Sequence, residues 1–336
     1  MMTNALLASG CWLLALSQKP LALLTGPAIA MRGSDLAAPT AQPAAGGQRP
    51  VAAGHGTCNR ADMARKTLFA VMGACALSIG YAQGKQQGKS TQAPAMGIAS
   101  LRTLPHNAFK AGEKLEYILH YGLMNAGKAT LELKEGDMEM LGRKMLHVVA
   151  EGHSVGAFKA FYTVNDRYES RFDKEGVFPW LFTRRCDEGG YIIKQDYSYM
   201  QHSHKVTTQE NKSYDVPAHA QDMISAFYYA RTWDLSNLVE GQEFTMDLFM
   251  DNENWPLKMK FVGKETIKIR NGKYRCLKFQ PLVQEGRIFQ SNDDLNVWIS
   301  DDGNHIPILV QAKILVGSIK MELSGYEGLA NTMAKE

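Results

Sequence analysis

The sequence has little of what most function classes require. Its 37 Lys+Arg against 34 Asp+Glu in 336 residues leave an excess too slight for a nucleic-acid-binding surface. No Gly-Xaa-Ser-Xaa-Gly elbow, P-loop, glycine-rich dinucleotide loop or His-Glu-Xaa-Xaa-His motif occurs, so the usual signatures of esterases, nucleotide binders and zinc peptidases are missing. No apolar run reaches the ~20 residues of a membrane-spanning helix. There is no βαβ alternation, which argues against a parallel α/β fold, and no repeat of fixed length. Cysteine is limited to five residues, of which Cys186 and Cys276 alone lie beyond residue 82.

What is present begins with an address. Arg65 and Lys66 form a short basic region, Leu68 to Ile79 is uncharged and mostly apolar, and Gly80-Tyr81-Ala82 sets small residues at −3 and −1 of a cut after Ala82. These are the three parts of a secretory signal peptide, over residues 63–82. The reading implies an exported protein of the periplasm or cell envelope. Residues 1–62, rich in Ala, Gly, Pro and Leu, read as an upstream extension ahead of a biological start at Met63. Met72-Gly73-Ala74-Cys75 faintly resembles a lipobox, but the apolar stretch runs on past Cys75, whereas a lipobox cysteine should end it. Residues 83–105 read as a flexible linker, 106–328 as a single domain and 329–336 as a tail. Residues 1–82 carry six basic and two acidic side chains, which leaves 31 basic and 32 acidic ones for 83–336. The excess of positive charge thus belongs to the leader.

The body is mainly β. Leu115, Tyr117, Leu119 and Tyr121 alternate, Asn125-Ala126-Gly127 offers a turn, and Ala129, Leu131 and Leu133 alternate again, as an antiparallel hairpin requires. Similar runs recur from Phe161 to Phe172 and on to Ser318–Leu323. The count is roughly a dozen antiparallel strands. One amphipathic helix interrupts them over about 219–233, where Met223, Ala226, Phe227 and Ala230 make a stripe at helical spacing. Strands in that number need their edges managed, so the expected architecture is a curled sheet or open barrel wrapped on the helix.

Three groups of residues carry the resemblance to a known family. They are Phe109-Lys110-Ala111-Gly112-Glu113-Lys114-Leu115-Glu116-Tyr117 with Ala126-Gly127-Lys128-Ala129, then Asp222 to Arg231, then Val297-Trp298-Ile299-Ser300-Asp301-Asp302-Gly303 with Pro307 and Val316 to Lys320. In that order and spacing they resemble the exported bacterial family known as domain of unknown function 3108. The resemblance implies a β-rich envelope protein and supplies no catalytic residues.

Chemistry-bearing residues have bland readings beside sharp ones. His202 and His204 at i and i+2, with His219, could hold a metal and support a metal-dependent hydrolase; exposed histidines are the simpler reading, and no metal or cofactor is expected. Cys186 and Cys276 could pair in an oxidising compartment, or remain buried free thiols. Asp166 with Glu169, and Asp293 with Asp294, are carboxylate pairs that surface and turn roles explain equally well. Among the many aromatics, Phe161, Trp180, Tyr197, Phe227 and Tyr228 are the candidates to line an apolar cleft between sheet and helix. The expected function is a non-enzymatic binding or carrier module for an apolar small molecule or lipid. The alternative is a structural envelope protein that binds a protein partner.

Overall fold

The computed structural model describes residues 101–282, 294–313 and 317–336. The extension 1–62, the signal segment 63–82 with Cys75, the linker as far as residue 100, and Asp293 lie outside the described residues. The described residues form β1 (Lys114–Tyr121), β2 (Met124–Met140), β3 (Arg143–Ser154), α1 (Gly156–Phe161), β4 (Val164–Asp173), β5 (Pro179–Glu188), β6 (Tyr191–Met200), β7 (Lys205–Thr208), β8 (Ser213–Asp215), α2 (Met223–Ala230), β9 (Glu243–Met250), β10 (Glu253–Ile269), β11 (Gly272–Pro281), β12 (Leu295–Ser300), β13 (Pro307–Lys313) and β14 (Ser318–Glu327).

All fourteen strands pair antiparallel in one sheet, in the order β8-β7-β6-β5-β4-β3-β2-β1-β14-β13-β12-β11-β10-β9. The mainly-β reading and the open, unclosed sheet are therefore observed. Each strand lies beside its neighbours in sequence, except that β8 and β9 do not pair and β1 also pairs with β14, the first strand with the last. The two free edges are β8 and β9, and the chain between them carries α2. Helix and sheet edges are thus held by one connection. Gln221, just before α2, donates its N–H to the Asp247 carbonyl and accepts from the Phe249 N–H, which covers part of the β9 edge. Sheet edges left bare invite further pairing, and this segment occupies one of them.

The strands form because their side chains alternate. On β4, Val164, Asp166, Tyr168, Ser170 and Phe172 are buried, while Asn165 and Arg167 are exposed. The first hairpin turns at Gly122–Leu123 and not at 125–127, which sit inside β2. Gly122 has φ +57, the left-handed geometry a tight turn needs. Phe161 ends a short helix and lies outside the strand in which its sequence run placed it. The extended stretch starts only at Val164.

The helix of the body is shorter than the stripe suggested. Asp222 is extended and caps it, accepting from the N–H groups of Ile224 and Ser225 at 2.7 Å each, while Ser225 Oγ accepts from the Asp222 N–H at 3.0 Å. This capping box fixes the start four residues later than 219. Met223 through Tyr228 are all buried, so α2 is a core helix with little solvent-facing side.

Segments outside the strands pack as well. The Arg102 guanidinium donates to the carbonyls of Gly176 and Val177 at 2.8 Å and stands 4.4 Å from the Tyr229 ring centre. At the other end Arg275 donates its N–H to the Ala334 carbonyl, and Glu336 to that of Lys273. Gly328 closes β14 against the start of the domain, with φ +66 and no room for a Cβ beside the Gly112 carbonyl. Gly328→Ala should cost more than about 1 kcal/mol, through both the backbone and the collision, and thermal unfolding would measure it.

Candidate functional site

The last turn of α2 stands over an apolar slot of about 30 Å³, lined by Phe227, Ala230, Trp233, Met259, Phe279 and Val297, among others. Trp233 is stacked on Phe244, ring centres 4.8 Å apart. Arg231 also lines the slot and is fixed from several directions. It donates to Glu113 Oε1 and Oε2 at 2.6 and 2.7 Å, to the Asn304 carbonyl at 2.8 Å and to the Ala108 carbonyl at 3.0 Å. Its guanidinium also lies 5.1–5.3 Å from the rings of Phe109, Phe227 and Tyr228. Both charges are buried, so this pair is anchored and not a free recognition group. The stretches around Glu113, Asp222–Arg231 and Asp302–Asn304, distant in sequence, meet at it.

A second constellation lies on the inward face of β4 and β5. Asp166 sits opposite Cys186, and Val164 opposite Glu188. Cys186 and Glu188, two apart on a strand, share a face, and Asp166 joins them from the neighbouring strand. One ligating atom from each of the three lies within 4.8 Å of the others, and all three residues are buried. Tyr168 and Arg184 are the next opposed pair on the same face. Burial, and then the nearby Glu188, push the Asp166 carboxyl up to about 8. Burial pushes the Cys186 thiol up to about 11, with Asp166 adding to the shift. The Cys186 thiol and the Asp187 backbone lean toward Asp166, yet neither carboxyl oxygen has a hydrogen bond of ordinary geometry. The Tyr162 ring stands over Gly189 nearby, and its hydroxyl is pushed up to about 12 by burial and then by Glu188.

The five aromatics proposed to line a cleft do not converge. Phe227 and Tyr228 are neighbours on α2 with ring centres 5.0 Å apart, and Phe227 lines the slot. Tyr197 packs on Phe182 and Phe249 under β6. Trp180 belongs to a separate small core with Met145 and Phe178. Phe161 is 86% exposed at the end of α1. His202 and His204 lie in the turn between β6 and β7, not on one strand face, and His204 has left-handed backbone. Burial, followed by the charges of Arg102 and His204, lowers the pKa of His219, whose ring lies tilted against Phe178 with centres 5.6 Å apart. An arginine beside it disfavours a cation there. Among the described residues the group of three potential ligands is Asp166, Cys186 and Glu188, with no histidine in it. Cys186 and Cys276 are buried free thiols on β5 and β11, which are not neighbours in the sheet.

The β4–β5 constellation carries no spacing motif, which is why a search for ligand patterns passes over it. The signal that finds it is strand alternation: Asp166, Arg184 and Glu188 fall at positions where the period places core residues. Asp166 and Glu169 were a sequence pair, but the period separates them. Glu169 faces outward and bonds His147 and Arg167 at 2.8 Å.

A family profile described as "Protein of unknown function (DUF3108)" matches residues 116–324. No curated protein matches the chain. Among solved structures, a beta-barrel-like protein of domain of unknown function DUF1849 from Brucella abortus is similar at 8% identity and TM-score 0.42, covering 69% of this chain and 100% of that one. A DUF1089 family protein from Pseudomonas aeruginosa is similar at 10% identity and TM-score 0.34, covering 56% and 90%. The Mycobacterium tuberculosis lipoprotein LppX is similar at 12% identity and TM-score 0.14, covering 63% and 85%. At TM-scores below 0.5 these likenesses assign neither a ligand nor a role to this chain.

Proposed function

We propose, from the premise that this chain belongs to the DUF3108 family, that it is an exported, non-enzymatic binding module of the bacterial envelope that takes an apolar ligand between sheet and helix. The observation that carries this reading is the placement of α2. The helix hangs on the connection between two sheet edges that do not pair with each other, and its end covers an apolar slot. A closed barrel would fix that space, whereas an open sheet can spread when a ligand enters. The slot as it stands has room for about one or two methyl groups, since ~10–15 Å³ already admits a water. An acyl chain or ring therefore enters as the end of α2 lifts from β10–β12. Arg231 stays behind, because its four hydrogen bonds belong to the frame.

The signal-like pattern of residues 63–82 supports the envelope setting, and export through it predicts a mature N-terminus at Gln83. Intact-mass measurement of the exported protein checks this, and a terminus well upstream would refute it.

The ligand reading is tested with the fluorescent apolar probe N-phenylnaphthylamine and by native mass spectrometry of the protein as purified. Saturable probe binding is expected, and Ala230→Trp, which fills the slot, should weaken it about tenfold, or ~1.4 kcal/mol. A protein that carries no apolar molecule and binds no probe would overturn the reading.

A specific observation favours the partner-binding alternative. Leu123, Phe161, Tyr191 and Ile192 are 99, 86, 65 and 62% exposed, and they lie on or beside the connections β1–β2, β3–β4 and β5–β6 at one end of the sheet. Exposed apolar residues grouped at one end suit an interface.

A further inference from the structure

From the inward face of β4 and β5 we infer a metal site, with Asp166, Cys186 and Glu188 as ligands to a zinc-like divalent cation. The three come together by register alone: Cys186 and Glu188 at i and i+2 on β5, Asp166 directly across on β4. Their ligating atoms lie within 4.8 Å of one another, a spread that one small cation at their centre can bridge.

Three acidic groups buried together are costly when charged unless a cation compensates them. Arg184, on the same face, acts on both Asp166 and Cys186, and it is shared with other acceptors. Its Nη1 lies 3.4 Å from Asp251 Oδ1 and 3.5 Å from Gln195 Oε1. A divalent ion at their centre would bring positive charge to all three ligands at once. The ligand set selects its class: a thiolate favours zinc or copper over magnesium and calcium, and two carboxylates disfavour a purely soft ion such as Cu(I).

The second observation is the state of the polar atoms around the trio. Asp166 is 2% exposed, and neither of its carboxyl oxygens has a hydrogen bond of ordinary geometry. The Tyr168 hydroxyl, on the same face beside the Cys186 thiol, is also buried without a hydrogen bond of ordinary geometry. Native interiors seldom leave such groups without partners. A bound cation would satisfy the carboxyl, and a water on the cation could reach the phenol. Cys276, the other buried thiol, belongs to no such group of three, and its Sγ donates to the Tyr274 carbonyl at 3.5 Å. The site sits inside the β4–β5 pair, apart from the slot at α2, so its role is to hold those strands together.

The test is metal loading of the purified full chain. Elemental analysis after exposure to zinc and removal of free metal should give one zinc per chain, with a raised melting temperature. Cobalt(II) in its place should produce a near-ultraviolet sulfur-to-cobalt band. Cys186→Ser should abolish that band, Asp166→Asn and Glu188→Gln should each weaken binding about tenfold or more, and Cys276→Ser should change nothing. A wild-type protein that retains no zinc and shows no cobalt–thiolate band would overturn the proposal. So would a band that survives in Cys186→Ser. Should the variants fail to fold, the cobalt spectrum of the wild-type chain decides alone, its presence supporting the site and its absence removing it.

Discussion

Replacing Arg231 by methionine is expected to destabilise the domain by about 3–5 kcal/mol, because it leaves the Glu113 carboxylate buried without its partner. Arg231 and Glu113 are 2% and 1% exposed, and the two bonds between them are 2.6 and 2.7 Å long. Water cannot replace the lost guanidinium at that depth. The Asn304 and Ala108 carbonyls lose donors as well, which adds to the cost. Glu113→Met alone should be comparably damaging, since it strands the arginine. Glu113→Met with Arg231→Met should be milder than the two single losses added together, because the double variant removes both charges and keeps apolar bulk among Phe109, Phe227 and Tyr228. Urea unfolding of the four proteins measures the coupling. A sum of single effects equal to the double effect would mean that the pair is not a unit, contrary to its geometry. Because Arg231 lines the slot but is anchored to the frame, the conserved-volume double variant is expected to retain probe binding while losing stability, which separates the frame from the ligand space.

This pair also shows why so much of the fold was legible and so little of the chemistry. Strand alternation reports which face of each residue is buried, and that information is local: Tyr117, Phe172 and Val297 announce themselves from two neighbours on either side. Pairing followed almost as simply, because every strand but the first and last lies only beside its sequence neighbours. The closing contact of β1 with β14 was not local and could not be read from either segment. Helix length was misjudged for the same reason. The apolar stripe continues the pattern of α2, but the backbone of Gln221 is taken by β9, and Asp222 caps the helix where that bond ends. Side-chain convergence is less legible still. Phe161, Trp180 and Tyr197 have the composition of a binding cleft, but a curled sheet disperses them to three separate environments. Asp166, Cys186 and Glu188 have no motif spacing and are brought together by strand register. The resemblance stretches around Glu113, Asp222–Arg231 and Asp302 were visible as a pattern, and their reason became visible only when they met around one guanidinium. The residues that carry the resemblance build the frame of the fold here, with capping box and buried ion pair.

Asp222 is where that frame should respond to pH. Burial raises its carboxyl to about 6, against the hydrogen bonds from Ser170, Ser225 and Ile224 that favour the charged form. Ser170 Oγ donates to Oδ2 at 2.6 Å, and the Tyr199 side chain is the other ionisable neighbour. The unfolded chain releases this proton near 3.8 and the folded chain near 6. Between those values the folded state holds the proton more tightly, so the contribution of Asp222 to stability is fullest below the lower value and is lost as pH rises through the upper one. The change across the window is on the order of 3 kcal/mol. Asp222→Asn keeps an oxygen to accept from the Ile224 and Ser225 N–H groups and removes the titration, since asparagine caps helices as well as aspartate does. Its stability relative to wild type should therefore improve by up to that amount between about pH 4 and pH 7. Asp222→Ala loses the cap at every pH, strands two backbone donors and the Ser170 hydroxyl, and should cost about 2–4 kcal/mol. Urea unfolding of the three proteins across the pH series reads both effects. A wild-type minus Asp222→Asn difference that stays flat would show that the carboxylate is charged throughout and that the cap, not burial, sets its state.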